Sequence, residues 1–87
     1  MGQQLVVGDA VELSEWVRVT VKWFNPNRGF GFFTRGEGTR DIFFSQPVLD
    51  RCGVDDLRSG ERFDVRYSKG DKGLVALEVA YPIGFVW

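Results

Sequence analysis

Apolar and polar positions alternate along much of this chain with a period of two, the pattern of strands that lay one face on a core. Residues 16–24, "WVRVTVKWF", set Val17, Val19, Val21 and Trp23 on one parity and Arg18, Thr20, Lys22 and Phe24 on the other. Strict alternation therefore separates Lys22 from Trp23, and a bulge or local twist is required to bring both to one surface. Asn25 to Gly29 reads as a turn, with Pro26 fixing one φ and Gly29 free to take a positive one. In the next strand, Phe30 to Thr34, Phe30 and Phe32 share a face while Gly31 and Phe33 share the other. After the turn "RGEGT", Asp41 to Ser45 forms a third strand in which Phe43 and Ser45 oppose Ile42 and Phe44. Pro47, which lacks a ladder donor, ends it.

Alternation fails over residues 48–60, where Val48, Leu49, Val54 and Leu57 are the apolar contacts of a long connection with room for one helical turn. It returns in Glu61 to Tyr67, with Phe63, Val65 and Tyr67 on one face, and again after the turn "SKGDKG" in Leu74 to Tyr81. Five short strands, Gly-rich turns and no long helical period predict an all-β fold, a five-stranded antiparallel barrel of the OB type. The barrel is assigned to residues 16–81, preceded by an N-terminal extension, 1–15, and followed by an apolar tail, 82–87. The extension either adds a strand or packs across an edge. Trp16, Phe85 and Trp87 either lengthen the first and last strands or form an apolar patch for a partner, including a homodimer through the tails.

Composition narrows the chemistry. The 87 residues contain one cysteine, Cys52, and no histidine, so the usual general base and the commonest metal ligand are missing. Asp50, Asp55, Asp56 and Glu61 read as a hydrophilic loop, and the expectation is no enzyme, no metal and no cofactor. No basic start leads into an apolar run and cleavage site, and no apolar stretch approaches a membrane span, which points to a soluble cytoplasmic protein without a membrane partner. Net charge is −1, but it is unevenly spread. Residues 16–40 carry Arg18, Lys22, Arg28, Arg35 and Arg40 against Glu37 alone. Within that segment "KWFNPNRGFGFF", residues 22–33, interleaves five rings with two cations. A phosphate backbone would meet cations there, with acids elsewhere limiting non-specific contact.

"VKWFN", then "RGFGFF", then "DIFF", followed downstream by "LRSGERFDV" and "KGDKGLVALEV", closely resemble the bacterial cold-shock domain family in order and spacing, from about Arg18 to Val79. The resemblance implies an OB-type barrel that binds single-stranded RNA or DNA. It carries nucleic-acid contact over to Lys22, Trp23, Phe30, Phe32 and Phe43, and to Arg28 where the family usually has lysine. Phe24 lies near this surface, chiefly as support for Trp23, and Lys72 in the last turn is a further candidate. Val21, Phe33, Ile42, Phe44 and Leu49 match core positions. The chain departs from the family where Ser45 and Gln46 replace a His-Phe pair and Val54 aligns with a loop aromatic. Ser45 and Gln46 retain the capacity to hydrogen-bond base edges. If each missing ring contributed about 1 kcal/mol, binding would weaken by roughly one to two decades. The resulting expectation is a non-enzymatic binder that keeps RNA unpaired. The competing one is a protein-interaction module on the same barrel, with a weakened nucleic-acid face and the tails as its interface.

Overall fold

The computed structural model describes residues 12–82. In chain order it contains β1 (Val17–Asn25), β2 (Phe30–Thr34), β3 (Ile42–Ser45), α1 (Gln46–Cys52), β4 (Arg62–Gly70) and β5 (Gly73–Ala80). The strands close into a barrel in the order β1-β2-β3-β5-β4, with β4 returning to β1. The sheet is mixed, which corrects the purely antiparallel expectation: β3 and β5 run parallel, Ile42 beside Leu74 and Phe43 beside Val75. The cause is parity. Directions cannot alternate all the way round a ring with an odd number of strands, so one neighbouring pair must be parallel. That pair is joined through the long connection and β4 rather than by a hairpin, as parallel pairing requires.

The inward positions of the strands build the core. Val19 and Val21, Phe33, Ile42 and Phe44, Phe63 and Val65, and Ala76 and Val79 are buried from β1 through β5 in turn. Val48, Leu49, Val54 and Leu57 close one end. Phe33 stacks on Phe44 at 4.2 Å between centroids, and side chains of this size contribute about 1.5–3 kcal/mol each when fully buried.

The long connection contains more structure than its broken alternation suggested. Gln46–Cys52 is a seven-residue helix with Pro47 in its first turn, where the missing N–H has no helical partner to lose. Gly53 ends it in the left-handed region, at φ 75°. The Val54 N–H then donates to the Leu49 carbonyl at 2.9 Å, and its side chain enters the core, so Val54 is not an open loop position. Cys52 is half-buried, its Sγ accepting from the Val79 N–H at 3.4 Å.

β4 also runs further than the turn-like "SKGDKG" indicated. Ser68, Lys69 and Gly70 pair with Val75, Leu74 and Gly73, leaving Asp71 and Lys72 as the turn. The β4–β5 register shifts between Arg66 and Tyr67, and Ser14 docks at this irregularity. The Ser14 N–H donates to the Tyr67 carbonyl at 2.8 Å, its Oγ accepts from the Tyr67 N–H at 2.9 Å, and its carbonyl accepts from Arg66 Nε at 3.0 Å. The part of the N-terminal extension nearest the barrel thus lies along β4. Residues 1–11 and 83–87, on which the tail and homodimer expectations rest, lie outside the described residues.

Candidate nucleic-acid interface

The face that carries the rings depends on one irregularity in β1. Val21 pairs with Phe33 but Trp23 pairs with Phe32, so Lys22 is an extra residue, the bulge that the sequence pattern demanded. Parity reverses across it. Val19 and Val21 face the core, both Lys22 and Trp23 face solvent, and Phe24 turns inward against Phe44 at 5.5 Å. Gly31 makes the bulge possible. A Cβ there would lie 2.3 Å from the Trp23 carbonyl oxygen, 2.9 Å from the Phe24 Cα and 2.6 Å from the Phe44 ring. Two of those atoms are backbone, so glycine is required for close approach.

Trp23, Phe32 and Phe43 stand side by side across β1, β2 and β3, because each is a register partner of the next. Phe30 joins them one pleat along. Trp23 lies 5.5 Å from Phe30 and 5.4 Å from Phe32; Phe43 lies 5.8 Å from Phe30 and 5.7 Å from Phe32. All four rings keep partial exposure, 39% for Trp23, while holding one another laterally. Their orientation is therefore fixed before any ligand arrives, which removes part of the ordering cost of binding.

Cations sit at the margins. The Arg28 guanidinium lies 5.7 Å from the Phe30 centroid. Lys22 is tethered to Asp41 at 2.8 Å, an exposed ion pair worth about 0–1 kcal/mol and readily exchanged for a phosphate. Lys72 overhangs a groove of about 360 Å³ whose floor continues from Phe32 and Phe43 onto Leu74 and Val75. Sequence reasoning missed Leu74 and Val75, because only the parallel β3–β5 seam brings them beside Phe43 and no local pattern reports it.

Ser45 occupies the edge of the ring cluster as register partner of Phe30. Gln46 belongs to a different surface. Its N–H donates to the Gly29 carbonyl and its Nε2 to Asp50, both at 2.9 Å, and with Phe24, Asp55 and Asp56 it lines a separate groove of about 280 Å³. The structure thus gathers Trp23, Phe30, Phe32 and Phe43 with Lys22, Arg28, Lys72 and Ser45 around them, and sets Phe24 and Gln46 to one side. Arg35 lies away from the ring cluster, packing on Tyr67 at 5.1 Å and donating to its hydroxyl at 3.1 Å. On the β1–β4 seam Arg18 is bound by Asp64, whose hydrogen bond raises the guanidinium above its ordinary value, opposed by desolvation and helped by the carboxylate's charge. A second pair of exposed rings, Trp16 at 50% and Tyr81 at 54%, borders its own groove with Asp64 and Ala80. Among the described residues no helix is long and apolar enough to cross a membrane.

A small closed barrel with preset rings and marginal cations on one face defines a class of OB-type binding domain. Residues 17–82 match the family described as 'Cold-shock' DNA-binding domain. The chain belongs to this nucleic-acid-binding family. It is 38% identical over 60 residues to Cold shock-like protein CspA of Stigmatella aurantiaca, a match covering 69% of this chain and 88% of that one. It is 35% identical over 63 residues to Cold shock-like protein CspE of Escherichia coli strain K12, covering 72% of this chain and 91% of that one. Cold shock-like protein CspC of Shigella flexneri gives 33% over 63 residues, with the same shares covered.

Proposed function

We propose that this protein binds single-stranded RNA or DNA by stacking bases on Trp23, Phe30, Phe32 and Phe43, with Lys22, Arg28 and Lys72 on the phosphates and Ser45 beside the stack. The observation that carries this reading is the mutual contact of four partly exposed rings on one barrel face, a costly arrangement for a soluble domain without a ligand to cover it. Binding only unpaired strands, the protein keeps RNA open by mass action and needs no enzymatic step. Its place of action is the cytoplasm, where such strands are abundant.

A second reading, a protein-interaction module, draws support from Trp16 and Tyr81, exposed rings that belong to a groove apart from the cluster. Fluorescence titration with uniform oligonucleotides separates the two. In a Trp16→Phe/Trp87→Phe background the signal comes from Trp23 alone, and salt-sensitive quenching is expected. No quenching at any oligonucleotide concentration, at low salt, would leave the protein-interaction reading in its place.

A further inference from the structure

We infer that the bound strand is short, about four nucleotides, the low end of the range for OB folds, and that it stops at Phe30 because the helix side of the barrel rejects phosphate. This rests on the ring face being a base-stacking site. The four rings form one contiguous cluster, and the register shows what lies past it. Phe30 is paired with Ser45, and the next residue, Gln46, is already the first of α1. Neither offers a ring. Gln46 is held through its N–H by Gly29 and through its side chain by Asp50, so it faces the helix rather than a passing base.

The charges beyond Phe30 are equally one-sided. Asp50, Asp55 and Asp56 are all exposed, the first bonded to Gln46 and the other two lining the groove Gln46 shares with Arg58. Arg51, the other cation near α1, turns to the Leu77 carbonyl on β5. A phosphate over Gln46 would therefore lie among three carboxylates and near one guanidinium, well inside the ~10 Å over which salt leaves charges in contact. Arg28, over Phe30, is the last cation of the ring face itself, and past it Arg58 stands alone against three carboxylates. At the opposite margin Lys72 and the Leu74–Val75 floor add a cation and apolar side chains but no further ring, so stacking ends there as well and charge repulsion acts at the helix side alone.

The experiment is a length series of oligo-U, from dinucleotide to octanucleotide, titrated against the full chain by tryptophan fluorescence. Affinity should climb steeply to the tetranucleotide and thereafter rise only by the number of available registers. The variant Asp50→Asn/Asp55→Asn/Asp56→Asn keeps hydrogen-bonding groups, and asparagine suits the positive φ of 57° at Asp56. It should tighten the octanucleotide by about three- to tenfold at low salt and leave the tetranucleotide unchanged. Wild-type affinity that keeps climbing to the octanucleotide overturns the inference, as does equal tightening of both lengths in the variant. Absence of binding at every length refutes the stacking reading itself, and this inference with it.

Discussion

Phe32 and Phe33 are neighbours in sequence whose loss should have opposite consequences. Phe33 is fully buried, stacked on Phe44 at 4.2 Å and 6.2 Å from Phe63. Truncating a buried phenylalanine to alanine costs about 3–5 kcal/mol in lost transfer energy and residual cavity. A domain of this length holds roughly 4–13 kcal/mol in total, so Phe33→Ala should lower Tm by about 12–40 °C and leave much of the chain unfolded at the upper end. Phe32 is half-exposed and its partners, Trp23 and Phe43, are themselves at the surface. Its removal forfeits two lateral aromatic contacts, about 1–3 kcal/mol together, and a smaller Tm shift follows. Binding should suffer as well, because a stacking face is worth about 1–3 kcal/mol per base, or roughly 5- to 150-fold in Kd. Urea denaturation gives the first quantity and oligo-U titration, run where both variants are folded, gives the second. A folded Phe33→Ala that has lost binding, beside a Phe32→Ala that unfolds, would refute the assignment of faces on β2.

Three further outcomes follow from the same geometry. Gly31→Ala, which in an unconstrained strand would stabilise slightly through the unfolded state, should destabilise by more than the usual overpacking range of about 1–3 kcal/mol, since the added methyl meets backbone 2.3 Å away; urea denaturation measures it. Arg28→Gln and Lys72→Gln should each reduce the slope of log affinity against log salt by about 0.7, with little change in Tm; an unaltered slope would remove that side chain from the phosphate path. Ser14→Ala breaks the bond from the Tyr67 N–H and should lower Tm by about 4–8 °C, the equivalent of about 1 kcal/mol, while leaving oligonucleotide affinity unchanged.

How much of this could be read from the sequence depended on the range of the interactions involved. Alternation located the strands and divided Phe30 and Phe32 from Phe33, because side-chain direction in a strand is a local property. It also exposed its own failure at Lys22 and Trp23: two residues needed on one surface but placed on opposite parities imply a bulge, and the register supplies one. The ends of β4 were misjudged because Ser68, Lys69 and Gly70 look like turn residues until β5 gives them partners. Val54, read as an apolar contact of the connection, is one, and the left-handed turn at Gly53 that folds it back onto Leu49 is what no local pattern reports. Nothing near Arg35 in the sequence reports its partner, Tyr67, which lies 32 residues further along the chain. Leu74 and Val75 gave no local sign of their place near the rings, since that depends on which strands meet when the barrel closes.

Barrel closure and the bulge together explain why the ring face has the extent it does. Without the bulge Trp23 would follow Val19 and Val21 into the core, and the cluster would consist of Phe30, Phe32 and Phe43 from two strands only. With it, β1 contributes Trp23 and Lys22 to the same surface. An odd strand count then forces one parallel contact, and its place between β3 and β5 lays Leu74 and Val75 next to Phe43 and carries the Lys72 turn to the margin of the site. The C-terminal end of β3 has no such continuation, because the chain leaves the sheet at Ser45 and starts α1 at Gln46. The surface is thus extended by a neighbouring strand at one side and cut off by a helix start and three carboxylates at the other. Sequence changes that restored rings at Ser45 and Gln46 without neutralising Asp50, Asp55 and Asp56 would add stacking faces where a phosphate backbone is still repelled. On this reasoning charge, rather than the missing rings alone, sets the limit of the strand.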